Sequence, residues 1–547
     1  MNQGAGFNLI DEPWIVVLRR DGHQEQVSIL ELFHGAEHFT AIGGEVPTQG
    51  FAITRLLLAF LHRAVDGPTS RDHWAQLWDA QTLPIDVIAT YAQKVRDRFD
   101  LFDPRAPFFQ TATLRTAKNE VSGLERLVAD VPNGEPLFTT RSAGNLAQIS
   151  AAEAARWLIH VHAFDTSGIK SGAVGDPTVK NGKGYGIGPG WCGQIGGVLL
   201  HGTNLRETLL LNLIGRDATA YVSIGGANDV PPWERDPDGP AWKERPPHGA
   251  IDLYTWQTRR VRLAGDHDGV TGFVLANGDK IQPQNKHGLE PHSAWKLSEA
   301  QTKKLKQTVY MPRRHIEDRS VWRGIAALLP STSGRHSGGS EGQRFLAPGV
   351  LQWVSDLAAQ GFLPDSYTPD VRVYGAAYGP QRSTFAEIID DEIPLPIMLL
   401  REDHPAAGTT AVEAVSVAEA VAFEVWKLAE NIAQAAGAEA KTGFGDSARE
   451  DFYALLEAPY RNWLSVLTAE SNLTESRGHW HKTVRRSART VADQLISAAP
   501  PAAWVGRQVG SRLVNVALAE AWFNAGLNRI IPPPPSSPTE TTEDTTE

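Results

Sequence analysis

One internal loop of the chain is rich in glycine, and it is the stretch best suited to hold a ligand with its backbone. Residues 181–197 read NGKGYGIGPGWCGQIGG, and eight of these seventeen residues are glycine. Glycine is favoured where the backbone must adopt a positive φ or where another group must approach the main chain closely. The loop therefore predicts contact with phosphate or nucleic acid, or else plain flexibility.

The loop formally contains the dinucleotide-binding pattern GxGxxG, as GPGWCG at residues 188–193. Such a site needs a preceding strand and a helix whose amino terminus faces the pyrophosphate. More glycine precedes the pattern here, and QIGGVLL follows it, so we expect no dinucleotide site. An enzyme that binds a phosphorylated small molecule through the loop stays open as an alternative, and so does a scaffold with a flexible lid.

Other residues capable of chemistry occur without the companions that the chemistry needs. The histidine pairs His160/His162 and His479/His481 have no third ligand at a spacing useful for zinc, and we expect them to be structural. The carboxylates of IIDDEIPLP have no evident companion base. The sequence therefore predicts no catalytic residue, no metal site and no cofactor.

Two stretches are locally basic. Four cations near the carboxyl terminus, which we call the basic stripe, recur at helical spacing: Lys482, Arg485, Arg486 and Arg489. They lie at i, i+3, i+4 and i+7, which is one face of a helix. Residues 296–323 hold eight Lys or Arg against three acids. Either surface could pair with acidic neighbours in solvent, or contact a nucleic-acid backbone or an acidic partner.

Turn signals and hydrophobic periodicity predict the elements that position these residues. Residues 14–29 read as a hairpin that turns at Asp21-Gly22. Ser28 and Glu31 have the spacing of a capping box at the start of a short helix. A buried helix is expected over residues 50–65, with Thr48 available as its cap.

The middle of the chain and its carboxyl-terminal part differ in composition and in hydrophobic periodicity. Residues 229–249 contain six prolines and must form an extended loop, which we expect two tryptophans to anchor. After residue 405 there are four amphipathic helical segments, at residues 411–438, 446–470, 479–499 and 511–530. We therefore predict an α+β protein: a large mixed α/β domain over residues 1–400, a four-helix bundle over 401–531, and a disordered Pro-rich acidic tail over 532–547.

Chain length, cysteine content, hydropathy and net charge bear on the number of domains, the cellular compartment and the binding of nucleic acid. A chain of 547 residues exceeds what one hydrophobic core usually supports, so two or three domains are expected. The single cysteine, Cys192, excludes an intramolecular disulfide, and the absence of a signal-like amino terminus or a membrane-length apolar run predicts a cytoplasmic protein that contacts no membrane. The net charge of −11 argues against indiscriminate binding of nucleic acid.

Several segments together resemble one known family. They are FNLIDEPWIVV at residues 7–17, APFFQT at 106–111, GTNLRETLLLNLI at 202–214, and the terminal helical bundle. The chain is similar, nearly end to end apart from the acidic tail, to the large subunit of the type I-E CRISPR Cascade complex, the CasA family. This resemblance implies a non-enzymatic recognition subunit.

The resemblance also implies roles for named residues. The loop residues Gly184, Gly186, Gly188 and Gly190 would enter the minor groove of target DNA at the short protospacer-adjacent motif (PAM). Lys280, with Lys286 as the alternative, would contact that groove. Gln381, in YGPQRSTFAEI, would wedge beneath the PAM and begin strand separation. Phe138, Thr139 and Thr140 would form a loop that docks near the 5′ end of the guide RNA.

The implied partners are those of such a complex. They are the backbone, 5′-handle-binding and small subunits with their CRISPR RNA, double-stranded target DNA, and the type I helicase-nuclease. The bundle would pack on the small subunits, and the basic stripe would help to hold DNA strands. The enzyme with a phosphorylated substrate remains the alternative.

Overall fold

The structure is a computed structural model, and it describes residues 6–131, 139, 141, 146–330, 345–403, 405–439, 443–468 and 470–533. The chain divides into two compact units, Met1–Pro405 and Ala406–Glu547. The predicted tail lies outside the described residues from position 534 onward.

The first unit mixes helices with small antiparallel sheets. Its helices are α1 (Ile29–His34), α2 (Pro47–Ala64), α3 (Arg71–Asp79), α4 (Ile85–Val95), α5 (Ala151–Phe164), α6 (Leu205–Leu211), α7 (Ala250–Tyr254), α8 (Glu299–Leu305) and α9 (Gly349–Ala359). Its strands are β1 (Ile15–Arg19), β2 (Gln24–Val27), β3 (Phe39–Ile42), β4 (Lys170–Ser171), β5 (Lys183–Gly184), β6 (Gly197–His201), β7 (Arg259–Asp266), β8 (Gly269–Asn277), β9 (Trp295–Leu297), β10 (Tyr310–Pro312), β11 (Phe345–Leu346), β12 (Asp370–Tyr378) and β13 (Phe385–Pro394). This mixed architecture confirms the predicted α+β class.

The amino-terminal elements form largely as their sequence predicts. β1 and β2 pair as a hairpin, and Gly22 takes φ +81° in its turn. Ser28 and Glu31 form the predicted capping box, because each side chain accepts a hydrogen bond from the backbone N–H of the other. The predicted cap of α2 is wrong: Val46 is the cap residue, and the Thr48 hydroxyl instead lies 2.9 Å from His160 Nε2 inside the core.

Helix α2 forms the centre of the core in this unit. Every residue from Thr48 to His62 is buried, because the helix packs against α4, α5 and α7 and against the sheet that contains β12 and β13. A helix buried on all sides has little room to shift, so the elements that surround it are held in fixed positions.

Three of the sheets position the glycine-rich loop and the segment that carries Gln381. β12 lies between β13 and β6, and β12 with β13 forms a long hairpin whose turn is residues 379–384. β7 and β8 form a second hairpin. β5, within the loop, pairs with β4, where Gly184 lies opposite Lys170.

The proline-rich stretch at residues 229–249 is irregular apart from one 3-10 turn, Pro232–Glu234. Trp233 is buried, and its Nε1 donates to Tyr91 Oη at 2.7 Å. Trp242 is half-buried and donates to Thr178 Oγ1. Both tryptophans therefore anchor the loop, as predicted.

The second unit is helical. Its elements are α10 (Pro405–Ala435), α11 (Phe444–Ser465), α12 (Leu473–Ser497), α13 (Pro501–Val505), β14 (Arg507–Val509), β15 (Arg512–Val514) and α14 (Val516–Ile530). Buried aromatic residues join the long helices, since Trp480 Nε1 donates to Ala414 O at 2.8 Å and Tyr460 Oη to Ala411 O at 3.0 Å. The four long helices are the four that the sequence predicts.

Several predicted boundaries in this unit are wrong. The first helix begins at Pro405 and not at Ala411, and the second ends at Ser465 and not at Glu470. The fourth segment, expected to be helical from Ser511, begins as β15, and helix starts only at Val516, where the Asn515 side chain caps it. The third helix begins at Leu473 and not at His479, because Asn472 caps it and accepts from the N–H groups of Thr474 and Glu475.

Among the described residues, one helix, Pro405–Ala435, has the length and mean hydropathy (1.3 over 18 residues) of a membrane-crossing segment. Half of that window is buried in the structure. The core helix of a bundle has the same properties.

Candidate functional site

The glycines of the loop allow close packing against the backbone at the end of α5 and just beyond it. A Cβ on Gly186 would overlap the carbonyl oxygen of Ser167, and a Cβ on Gly190 would overlap that of Ala163, both well inside the 3.0 Å that real Cβ atoms keep. Gly188 has φ +108°, a conformation that favours glycine for a different reason. Packing and backbone conformation therefore account for these three glycines before any ligand is considered.

The loop residues differ in exposure. Gly184 and Gly190 are buried, Gly188 is half-buried, and Tyr185 and Gly186 are exposed. The Tyr185 carbonyl accepts a hydrogen bond of 2.7 Å from Asn277 Nδ2 at the end of β8, which holds the exposed part in place. The loop therefore offers two exposed stretches to a ligand, residues 181–183 at its start and Tyr185 and Gly186 at its centre.

The stretch with the GxGxxG pattern leads into a single turn, Trp191–Gln194, and not into an α-helix. Trp191 is buried, and its Nε1 donates to Glu290 Oε2 at 2.6 Å. In this described stretch, the third glycine of the pattern opens no α-helix whose amino terminus could face a pyrophosphate.

The residue expected to act as a wedge lies at the tip of the β12–β13 hairpin. Gln381 is exposed and adopts φ +57° and ψ +13°, the left-handed region. The turn closes through a bond of 3.1 Å from Gly379 N–H to Thr384 O, and Arg382 also has a positive φ. Two consecutive non-glycine residues in this region are unusual, and such backbone persists only where its surroundings hold it.

The glycine-rich loop and the hairpin tip line the same cavity. Its volume is about 720 Å³, and its wall includes Tyr185 and Gly186 from the loop and Gln381 from the tip. Arg126 and Lys170 also line it. Two segments that are about 200 residues apart in the chain are therefore brought to one concave surface.

A short stretch from the last residue of α5 to the end of β4, residues 164–171, connects the loop to the hairpin; we call it the connecting segment. On the loop side, Gly190 N–H donates to Asp165 O at 2.8 Å. On the hairpin side, Ser167 N–H donates to Arg382 O at 2.7 Å, and Tyr378 Oη donates to Phe164 O at 2.6 Å.

Buried charges lie at the start of the connecting segment. The Asp165 carboxylate pairs with Lys170 Nζ at 2.7 Å and with Arg259 Nε. Burial alone would raise the pKa of the Asp165 carboxyl, but Lys170 and Arg259 outweigh it and lower that pKa below its ordinary value. Burial also lowers the pKa of Lys170. Loss of one member of such a buried pair typically costs about 3–5 kcal/mol.

The candidate lysines do not line this cavity. Lys280 Nζ pairs with Glu244 Oε2 at 3.2 Å, three residues beyond the strand that anchors Tyr185. Lys286 Nζ donates to Gln284 O at 3.4 Å in the following loop.

Of the predicted RNA-docking residues, only Thr139 is described. Its Oγ1 donates to Asp130 Oδ2 at 3.3 Å and accepts from Arg141 N–H at 3.1 Å. Phe138 and Thr140 lie outside the described residues.

The basic stripe separates into exposed and held members. Arg485 Nη1 donates to Asn528 Oδ1 at 2.8 Å, and its other nitrogen contacts Ile531 O, so this side chain is tied to α14 and its end. Lys482, Arg486 and Arg489 are exposed, and within the described residues no acidic partner lies within 4 Å of them.

The first histidine pair is structural, as predicted. His160 and His162 are buried on α5, where His160 bonds Thr48 and His162 Nε2 bonds Phe109 O at 2.8 Å. Burial lowers the pKa of His160 to about 3 and that of His162 to about 4. Burial likewise raises the pKa of the Cys192 thiol to about 12, so the thiol stays protonated.

Comparison with known proteins decides the family. The model of the family described as CRISPR-associated protein Cse1 matches residues 8–491. The chain belongs to the Cse1 family. Since CasA is another name for Cse1, the predicted family, that of the large Cascade subunits, is confirmed.

Individual Cse1 proteins match over nearly the whole chain. The crystal structure of Thermobifida fusca Cse1 has 44% identity and a TM-score of 0.89, covering 96% of this chain and 98% of that one. Acidimicrobium ferrooxidans Cse1 has 32% identity and a TM-score of 0.81, with the same coverage. The CasA/Cse1 protein of Thermus thermophilus is 31% identical over 492 residues, 87% of this chain and 85% of the relative.

Four residues of the site in this Cse1 protein escaped sequence reasoning: Tyr185, Asp165, Arg259 and Tyr378. Asp165 and Arg259 are 94 positions apart, and no spacing rule pairs residues across that distance. Tyr185 carried the one available signal, since it is the only aromatic residue between the glycines at 182 and 190.

Proposed function

We propose that the chain is the large subunit of a type I-E Cascade complex, where it reads the PAM of double-stranded DNA from the minor groove and begins to unwind the duplex. Family membership supports the class of complex. The observation that carries the proposal is the shared cavity, because the loop expected to read the motif and the glutamine expected to open the duplex line the same wall.

The exposed centre of the loop suits a minor groove. That groove is about 6 Å wide, and branched side chains would obstruct it. Gly186 offers bare backbone there, and the neighbouring Tyr185 offers an aromatic face. Because the minor groove distinguishes A·T from G·C but little else, recognition of this kind tolerates several related motifs.

The glutamine at the hairpin tip acts after recognition. Gln381 is exposed, and the turn beneath it is bonded to the connecting segment through Arg382. A tip braced in this way can resist the restoring force of the base stack. Unstacking one step costs a few kcal/mol, and the base pairs formed with the guide RNA repay that cost.

Lys280 is the proposed groove lysine. Its present partner, Glu244, is exposed and the pair is part of the surface, where ion pairs contribute little. The ammonium group can therefore exchange this carboxylate for acceptors in the groove at small cost. Lys286 is the alternative.

The remaining surfaces serve assembly. Residues 138–140 would dock near the 5′ end of the guide RNA, and the bundle would pack on the small subunits. The exposed members of the basic stripe would contact the DNA backbone, and recruitment of the helicase-nuclease would follow strand opening. In this proposal the chain performs no catalysis itself.

One experiment separates strand opening from simple binding. The guide-RNA complex is reconstituted with wild-type protein, Gln381→Ala, or the control Gln360→Ala, which removes an exposed glutamine at the end of α9. Affinity is measured for an intact duplex and for the same duplex opened beside the PAM. Gln381→Ala should weaken binding to the intact duplex only, and equal affinities for all three proteins would refute the wedge.

The alternative, an enzyme that binds a phosphorylated small molecule through the loop, makes a different prediction. Such an enzyme would bind a nucleotide tightly as the purified chain, which calorimetry would detect. The burial of Gly184 and Gly190 counts equally against contact of these two glycines with a nucleotide and with DNA, so it does not separate the two proposals.

A further inference from the structure

The connecting segment is bonded to both DNA-facing elements at once. Its Asp165 carbonyl accepts from the loop, and its Ser167 N–H donates to the hairpin turn, only two residues later. The position of the loop relative to the hairpin tip therefore depends on the conformation of these few residues.

One buried side chain fixes that conformation. Arg259 is 1% exposed and lies at the start of β7. Its Nε donates to the Asp165 carboxylate, and its Nη2 lies 2.8 Å both from Thr166 O and from Gly188 O. The planar guanidinium thus bonds the connecting segment and the loop together, which the single ammonium group of a lysine cannot do.

Arg259 shares the Asp165 carboxylate with a second cation, Lys170. Asp165 and Lys170 are each 7% exposed, and both line the cavity. A buried ion pair is a poor source of net stability compared with apolar packing, but it specifies one arrangement because any other leaves a charge unpaired. Such a cluster is suited to setting a distance.

We propose that Arg259 and Asp165 are positioning residues that hold the glycine-rich loop and Gln381 at one separation, so that the duplex opens at a fixed number of base pairs from the motif. This inference rests on the proposed function, in which the loop reads and the glutamine opens. Neither residue needs to touch DNA. Their effect on binding passes through the loop and the hairpin.

The test uses a substitution that keeps the positive charge of residue 259 and removes the planar guanidinium group. Arg259→Lys is compared in the reconstituted complex with Arg156→Lys, a control that is also buried and paired, with Glu45, but bonds Trp14 O and neither of the two elements. Duplexes carry the fluorescent base 2-aminopurine at the first or the second position beyond the PAM. Affinity is measured for intact and pre-opened duplexes.

Arg259→Lys should bind the intact duplex about tenfold or more weakly, as expected when bonds to a charged group are lost, and the pre-opened duplex within about twofold of wild type. With Arg259→Lys, 2-aminopurine fluorescence should rise together at both positions, which means that either base pair can open first. With wild type and Arg156→Lys it should rise at one position before the other. The inference is overturned if Arg259→Lys and Arg156→Lys behave alike in both measurements.

Gln381→Ala separates this inference from the proposed function. If Gln381→Ala weakens binding to the intact duplex and Arg259→Lys does not, only the positioning role fails. If neither does, the wedge itself is wrong.

A milder variant covers the case in which Arg259→Lys does not fold. Tyr378→Phe removes only the hydroxyl that donates to Phe164 O, and it should give the same pattern with a smaller loss of affinity. The proposal is overturned if a folded Tyr378→Phe complex has the wild-type ratio between its affinity for the intact duplex and its affinity for the pre-opened duplex.

Discussion

Gly186→Ala is the smallest change that separates the loop from the connecting segment. The added Cβ would overlap Ser167 O, so one of the two backbones must move by about 1 Å to reach the 3.0 Å limit. The neighbouring atom belongs to backbone, not to the end of a flexible side chain, and cannot turn aside. Overpacking of this kind costs about 1–3 kcal/mol.

That cost translates into an expected loss of DNA affinity. If the docked loop is the form that binds, destabilising it by about 1–3 kcal/mol weakens binding of the intact duplex by about 5-fold to 150-fold. The same displacement should loosen the bond from Ser167 N–H to Arg382 O. We therefore expect faster amide exchange at Ser167 as well as weaker binding.

The assay combines hydrogen exchange on the free chain with duplex binding by the reconstituted complex. Gly226→Ala is the matched control, because Gly226 is exposed, lacks a positive φ, and has no neighbouring atom within 4 Å of the position that a Cβ would take. If Gly186→Ala leaves exchange at Ser167 unchanged, the close approach is refuted. If binding alone falls, the glycine is needed in the groove and not for packing.

Four further outcomes follow from the same geometry. Glu244→Gln should strengthen binding of the intact duplex by up to about fivefold in a fluorescence titration, because it releases Lys280 from an exposed ion pair; weaker binding would contradict the role of that lysine. Replacing the three exposed cations of the basic stripe by Gln should lower the slope of log affinity against log salt by about 0.9 for each DNA phosphate that the variant no longer neutralises, and an unchanged slope would exclude the stripe from DNA. Unfolded histidine titrates near pH 6.5, whereas buried His160 and His162 have pKa values of about 3 and about 4. The unfolded chain therefore binds more protons in acid, and the free energy of unfolding should fall as the pH drops from about 6.5 towards 4. The melting temperature of His162→Gln should depend less steeply on pH over that range. Cys192 should resist iodoacetamide at pH 8 until denaturant is added, since burial raises its pKa to about 12.

Local signals in the sequence predicted local structure well. The capping box at Ser28 and Glu31 formed because both partners lie within one helical turn. The cap assigned to Thr48 failed because its hydroxyl bonds His160, 112 positions away. A rule based on local propensity predicts an interaction within one helical turn but not one between residues far apart in the chain.

The prediction of a helix at the start of the fourth segment was wrong for a different reason. The residues of β15 were assigned to a helix because apolar residues continue from it into α14, and the strand is only three residues long. Gly510, with φ +60° in the preceding turn, carried the signal for a hairpin. A strand this short shows no clear alternation, so pattern alone favoured helix.

The glycine-rich loop shows most clearly what a sequence leaves open. Its composition indicated a close approach of the backbone to another group, and for Gly186 and Gly190 that group is the chain's own backbone near the end of α5. Composition cannot tell a ligand from a neighbouring segment. Only the fold shows that the exposed centre of the loop and Gln381 meet at one cavity.

The proposed function requires a protein of net charge −11 to examine DNA, and the charges in and near the cavity bear on how it would do so. Arg259 and Lys170 share the Asp165 carboxylate, and Lys280, outside the cavity, is paired with Glu244, so these cations attract phosphate less than free ones would. The exposed Arg126 also lines the cavity. Affinity for phosphate is independent of sequence and would hold every duplex equally. In the proposed function, a site that contributes more shape than charge would release a wrong duplex quickly and leave the choice to the motif and to pairing with the guide.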